Sequence, residues 1–272
     1  MATVGTVQEL VHYPVKSMQG QAVAQASVSG HGLDADRRYA LRDLETGLVA
    51  SAKQPQRWRA LLDCHATMDG ELRVRLPDGR TLTHGEHDLD RELSDHLGRP
   101  VELIEAAPGE LGTYDSEWPR IAGVTLEGNH EFPVALATEA VTFADLAAIH
   151  LMTSASLHRL RTLTPDSTIE PRRFRPNLVI DTGDDPDFLE DRWVGRTLRI
   201  AGRVELQVTL LTPRCVMTTV AQPGLEHDPG VLRAAAENRH EVGGVGTFAC
   251  AGVYAEVAAP GSITVGDAVS LA

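Results

Sequence analysis

A thiol stands beside a permanent positive charge at Arg214-Cys215, within the run Thr212-Pro213-Arg214-Cys215-Val216-Met217-Thr218-Thr219-Val220. It follows directly on the strand-like Val204-Glu205-Leu206-Gln207-Val208-Thr209-Leu210. A guanidinium next to a thiol favours the thiolate, the form that ligates soft or high-valent metals and attacks electrophiles. Cys215 is therefore the first candidate for chemistry, the plainer alternative being a small buried hydrophobe at a strand end.

Four other stretches put cations or donors at the end of a strand or the start of a helix. Tyr13-Pro14-Val15-Lys16-Ser17-Met18-Gln19-Gly20 offers the Lys16 ammonium and the Ser17 hydroxyl just past the strand-like Thr6 to His12, and Asp36-Arg37-Arg38-Tyr39 adds two guanidiniums. Thr153-Ser154-Ala155-Ser156-Leu157 reads as a helix N-terminus, whose free N–H groups and dipole attract anions. Pro171-Arg172-Arg173-Phe174-Arg175-Pro176-Asn177 carries three arginines within four residues. Taken singly, these are surface ion pairs, a helix cap and a solvated charge. Together with Cys215 they describe a pocket for a ligand both phosphorylated and metal-bearing, in which the cations and helix-end donors hold phosphate and one thiolate takes the metal.

The elements needed to position them are mostly strands. Leu72-Arg73-Val74-Arg75-Leu76 and Arg80-Thr81-Leu82-Thr83 flank Pro77-Asp78-Gly79, a strong hairpin signal, and residues 38–43 and 48–51 flank Leu44-Glu45-Thr46-Gly47 in the same way. A short helix is expected with Asp88 as cap, Leu89, Leu93 and Leu97 on one face and Gly98 as stop. Residues 106–135 are irregular and punctuated by Gly and Pro, and read as a linker or lid. Beyond them a helix opens near Thr153 or Ser154, strands follow at 177–181, 197–200 and 204–211, another helix starts at Asp228-Pro229, and strands at 252–257 and 262–271 close the chain. The expected fold class is mainly β with peripheral helices (α+β), in two domains, 1–130 and 131–272.

Composition bounds the partners. The 272 residues carry 25 Lys plus Arg against 38 Asp plus Glu, a net charge of −13 that disfavours nucleic acid and anionic membrane surfaces. Three separated cysteines, Cys64, Cys215 and Cys250, make neither a disulfide framework nor a metal knuckle, and a reducing cytoplasm fits them. No basic and apolar leader and no run of about 18 apolar residues is present, so neither export nor membrane anchoring is expected. His84-Gly85-Glu86-His87 lies in a polar turn with no helix to align its ligands, and Gly243-Gly244-Val245-Gly246 lacks the setting of a dinucleotide fingerprint.

Along nearly its whole length the chain resembles the MOSC superfamily, the molybdenum cofactor sulfurase C-terminal domain and its relatives. The likeness in the N-terminal half rests on the Tyr13 to Gly20 stretch, Gly32-Leu33-Asp34-Ala35-Asp36-Arg37-Arg38-Tyr39 and Ser51-Ala52-Lys53-Gln54. In the C-terminal half it rests on His150 to Leu157, Arg173-Phe174-Arg175-Pro176-Asn177-Leu178-Val179-Ile180, Pro213 to Val220, and Gly252-Val253-Tyr254 leading to Pro260-Gly261-Ser262-Ile263-Thr264-Val265-Gly266-Asp267. It extends to the mitochondrial amidoxime-reducing component and its bacterial counterparts.

The resemblance implies an N-terminal β-barrel domain followed by a MOSC β-barrel domain, and a pyranopterin molybdenum cofactor (Mo-molybdopterin). Cys215 would ligate the metal, and Lys16, Ser17, Arg37 or its neighbour Arg38, Ser154 or Ser156, Arg175, Asn177 and Arg214 would contact the pterin or its phosphate. The implied reaction is reduction of an N-hydroxylated or N-oxide small molecule by oxygen-atom abstraction. With no cysteine cluster near residue 272, the electrons are expected from a separate electron-transfer protein. Residues 222–228 and 238–240 depart from the acidic turn and Tyr-Arg pair of relatives, so the substrate follows less directly than the cofactor. Two other readings stand beside this one: a non-catalytic cofactor carrier, and sulfur or thiol transfer at Cys215 without molybdenum.

Overall fold

The computed structural model describes residues 2–183 and 185–272. Strands dominate, with short helices at the periphery, as the residue pattern predicts. Seven strands close into a barrel: Ile149–Thr153 runs parallel to Leu178–Asp181, then Ala2–His12, Ala268–Leu271, Thr197–Ile200, Val204–Pro213 and Thr247–Ala259 follow antiparallel, the last returning to pair with Ile149–Thr153. The first strand of the chain thus sits in the barrel built by the C-terminal half.

Period-two alternation explains the barrel interior. Val204, Leu206 and Val208 point inward from one strand and Leu198 and Ile200 from its neighbour, joining Val253, Ala255 and Val269 in one apolar core. The single parallel pair needs a crossover, and the helix Ser154–Leu163 supplies it. Register breaks between Val208 and Leu210 and between Leu211 and Pro213 bend the long hairpin at the end that delivers Arg214 and Cys215.

The N-terminal half builds a second core around Val15, Met18, Leu41, Trp58, Leu61 and Leu72. It is enclosed by the sheet of His65–Met68, Leu72–Arg75 and Thr81–Thr83 and by the pair Tyr39–Asp43 with Val101–Glu105. The hairpin at Asp78-Gly79 and the helix Leu89–Leu97, capped by Asp88 and stopped by Gly98 at φ 66°, fall where expected.

Two stretches differ from expectation. Residues 48–51 make only a bridge to the strand Tyr39–Asp43, at Arg42 and Val49, closed by Asp43 N to Leu48 O at 2.9 Å and Ala50 N to Leu41 O at 2.8 Å, while Val49 N donates on its other side to Thr113 O at 2.8 Å. The strand's main partner is instead Val101–Glu105. The irregular text at 106–135 contains a regular hairpin, Thr113–Trp118 against Gly128–Pro133. Its second strand begins with Gly and ends with Pro, which hid it. Among the described residues, no helix is long and apolar enough to cross a membrane.

Candidate functional site

Lys16, Ser17, Arg37, Arg175, Asn177, Arg214 and Cys215, drawn from segments up to about 200 residues apart, line one cleft. The turn after strand Ala2–His12 brings Lys16 and Ser17, the end of the short helix Pro171–Phe174 brings Arg175, and the bent end of strand Val204–Pro213 brings Arg214 and Cys215. Six lining residues are cationic, Lys16, Arg37, Lys53, Arg173, Arg175 and Arg214, against the single acid Asp145. In a chain of net charge −13 this is a local reversal of sign, of the kind that attracts anions.

Backbone strain collects there as well. Ser17, Arg37 and Arg175 hold positive φ angles of 68°, 49° and 58°. Each such conformation in a residue other than glycine costs of order 1–3 kcal/mol and persists only where the surroundings impose it. Arg175 takes it as the cap of its helix, with Pro176 next in the chain preventing continuation. The turn aims the guanidinium back over the Tyr13 ring, 4.1 Å from its centroid.

Hydrogen bonds sort the cations into structural and available ones. Arg173 is fully committed to carbonyls of Thr168, Thr218, Val220 and Glu226, so it staples the loop after Cys215 to the helix. Arg214 donates to Ala251 O and Phe174 O and meets His150 Nε2. Burial and then the Arg214 charge hold the His150 imidazole well below its usual pKa, hence neutral. Asn177, expected to read a pterin, uses its amide on the protein: Oδ1 accepts from His150 N at 3.0 Å and Nδ2 donates to Val11 O at 3.2 Å. Arg175 gives Nη1 to Met18 O at 2.6 Å, but its Nη2 is buried without a partner. An unpaired buried guanidinium nitrogen costs more than a lost neutral bond, so the site is built for an acceptor at that point.

Asp145, which carried no signal in the residue pattern, organises the cleft floor. It accepts Lys16 Nζ at 2.5 Å and Lys53 Nζ at 2.9 Å. Burial alone would raise its pKa, but the two ammoniums outweigh this and hold it far below the usual carboxylate range. Burial pushes Lys16 down to about 8 against the pull of Asp145. Lys53, opposed by burial but favoured by Asp145, Tyr114 and Cys215, is held well above its ordinary value. Lys53 and Tyr254 also line the cleft, and both lie in stretches the sequence had marked without naming them. Tyr254 falls within the strand expected at 252–257 and Lys53 just past the one expected at 48–51, so neither stood out as a site residue.

Ser154 and Ser156 are not among the lining residues. Ser154 Oγ donates to Gly183 O at 2.9 Å, and Ser156 Oγ donates to the buried carboxylate of Glu190 at 2.5 Å. Helix Ser154–Leu163 is capped by Thr153, whose hydroxyl accepts from Ser156 N. Arg38 pairs with Glu105 at the surface.

The Cys215 thiol is free and 6% exposed. Among the described residues, no group of three or more His, Cys, Asp or Glu is placed to hold a metal. A metal bound to this sulfur would therefore arrive with most of its ligands already attached, as it does in an organic chelate carrying its own anionic handle.

The fold is thus a closed barrel that sets a free thiol in a cationic cleft. The sequence matches the MOSC N-terminal beta barrel domain over residues 4–101 and the MOSC domain over residues 138–270, and the chain belongs to the MOSC family. Among curated proteins it is 29% identical to human mitochondrial amidoxime reducing component 2 over 84% of this chain and 69% of that one. It is 25% identical to mouse mitochondrial amidoxime-reducing component 1 over 98% of this chain and 82% of the other. Among solved structures, the YUAD protein from Bacillus subtilis superposes with a TM-score of 0.48 at 12% identity, covering 98% of this chain and 94% of that one.

Proposed function

We propose that this protein is a molybdenum-cofactor reductase of N-hydroxylated or N-oxide compounds, working in the cytoplasm with electrons from a separate protein. The observation that carries the reading is the free Cys215 thiol in a cleft of six cations and one acid. The residues fit a pyranopterin with a phosphate tail. Cys215 would hold the metal, and Arg175 Nη2 offers the phosphate an unpaired donor. Arg37 and Lys16 add charge, and the Ser17 hydroxyl, which accepts from Ala52 N, still has its proton to give. Asn177 and Arg214 act by fixing the strands that carry these groups.

When bound, the cofactor supplies two-electron abstraction of the substrate's oxygen: the N–O bond breaks, and with two electrons and two protons the oxygen leaves as water. Among the cleft groups, Asp145 is held ionised and has no proton to give at neutral pH, whereas Lys16, at about 8, can release one close to neutrality. The interior of the cleft is narrow, about 60 Å³, and long cationic side chains line it. Seating a pterin, a ligand of the size usually housed in pockets of several hundred Å³, requires them to swing onto it.

The test is expression in a host that makes the cofactor, followed by assay of benzamidoxime reduction with an artificial electron donor. Turnover to benzamidine is expected. Stoichiometric molybdenum with no turnover on any N-oxygenated compound would favour the carrier reading, and activity without molybdenum would favour thiol chemistry at Cys215.

A further inference from the structure

Cys215 leads into a single helical turn, Val216–Thr219, whose backbone is fixed from within and from outside. The Thr218 and Thr219 hydroxyls donate back to Cys215 O at 3.3 Å and Val216 O at 2.7 Å, and Val220 N donates to Met217 O at 3.3 Å. From the neighbouring helix, Arg173 Nη1 reaches Thr218 O at 3.3 Å and Val220 O at 3.4 Å. Val216, Thr218 and Thr219 are buried in this arrangement. Met217 is half-buried and lines the cleft together with Cys215.

The Met217 side chain joins the two halves of the molecule at the cleft. It packs against the apolar cluster that holds Cys215, Phe248 and Cys250, and also against Ala52, Leu62 and Val220. Ser51 and Lys53, the chain neighbours of Ala52, line the same cleft. The other apolar residues on its wall cannot change shape. Ala144 and Ala147 are too short, the Pro213 ring is tied to the backbone, and Phe174 is 3% exposed with the Arg214 guanidinium 5.4 Å from its ring centroid. Methionine is unbranched and has three rotatable bonds, so Met217 adapts while the turn beneath it stays still. In an interior of about 60 Å³, one such side chain decides how wide a group reaches the sulfur.

We propose that Met217 is the size gate of the site, passing slim groups to Cys215 and turning away wide ones. The cations of the cleft select charge, and Met217 selects width. As a rule on substrates, this rests on the reductase reading and favours N-oxygenated compounds that are unbranched next to the reacting group. As a rule on access to the thiol, it stands without that reading.

The experiment has two arms. In the first, protein made in a host without the cofactor is alkylated with N-methylmaleimide or N-(1-pyrenyl)maleimide, and the rate at Cys215 is read by peptide mass spectrometry. Cys64 and Cys250 interfere little, being 0% exposed with thiols that burial pushes up to about 12. Met217→Ala is expected to raise the pyrenyl rate about tenfold relative to the methyl rate. Met217→Ile is apolar like methionine but stiff at χ1, and is expected to lower that ratio. It carries the test where Met217→Ala does not fold. A ratio unchanged in variants that melt like wild type, or an equal change for both reagents, overturns the gate. In the second arm, kcat/KM for pivalamidoxime relative to acetamidoxime is expected to move in the same direction in cofactor-loaded variants. Alkylation ratios that shift while turnover ratios do not overturn the rule on substrates. Turnover of neither compound by wild type overturns the reductase reading instead, and the alkylation ratios still decide the gate.

Discussion

Lys16 Nζ and Asp145 Oδ1 meet at 2.5 Å on the floor of the cationic cleft, and burial sets the Lys16 pKa near 8 in spite of that partner. The lysine is therefore charged at neutral pH and loses its charge as pH rises through 8. Binding of sulfate, a dianion throughout the range, measured by calorimetry between pH 7 and 9.5, is expected to weaken roughly tenfold, the value of one charge-assisted contact. Lys16→Arg should flatten that profile. Parallel profiles in the two proteins would show that Lys16 does not face the anion.

Arg175 is the cleft cation with a buried nitrogen left free. Arg175→Ala should weaken cofactor retention by about 1.5–3 kcal/mol, the worth of a hydrogen bond to a charged group. Molybdenum remaining after extended dialysis is the readout, and an unchanged content removes Arg175 from the site.

Glu190 is a buried carboxylate behind the helix that starts at Ser154. Its Oε2 accepts from Thr153 and Ser156 hydroxyls, while Oε1 has no partner. Burial raises its pKa from 4.5 to about 7. Between those values the unfolded chain releases a proton that the folded protein keeps, so this group's contribution to stability falls as pH rises through that window and is level above about 7. Glu190→Gln removes the loss. The variant should gain on wild type by up to about 3 kcal/mol between pH 4.5 and pH 8 in urea unfolding. A stability difference that is the same at both ends contradicts this.

Much of this was legible in the residues. Strong turn chemistry at Asp78-Gly79 and the caps at Asp88, Gly98 and Asp228 specify their elements locally, and the structure has them there. The cluster of Lys16, Arg37, Arg175, Arg214 and Cys215 was visible because cations are conspicuous in an acidic chain. Asp145 was not, since one carboxylate among many acquires meaning only when the fold sets it between two lysines. The helix N-terminus at Ser154 has the composition of an anion site, but its hydroxyls turn to Gly183 and Glu190, a choice made by tertiary packing. The aromatic hairpin was obscured because Gly128 and Pro133 punctuate the strand that they begin and end.

Gly252 occupies the bend of the long strand behind the cleft at φ 82°. A Cβ there would sit 2.6 Å from His150 Nε2 and 2.7 Å from Leu151 O, and the backbone oxygen cannot move without opening the barrel. Gly252→Ala is expected to destabilise by more than about 1 kcal/mol, since it adds a close contact to an unfavourable φ, and to displace the imidazole that meets Arg214. Thermal melting of the variant checks this. A melting point equal to wild type would mean the strand does not bend as described.

The proposed function depends on a bond between the sulfur of Cys215 and molybdenum. Metal analysis of wild type and Cys215→Ser, purified in parallel from a host that makes the cofactor, tests it most directly. Stoichiometric molybdenum with releasable pterin fluorescence is expected in wild type, with most of the metal lost in the variant. Wild-type protein without molybdenum, or a serine variant that keeps its full content, would contradict the account.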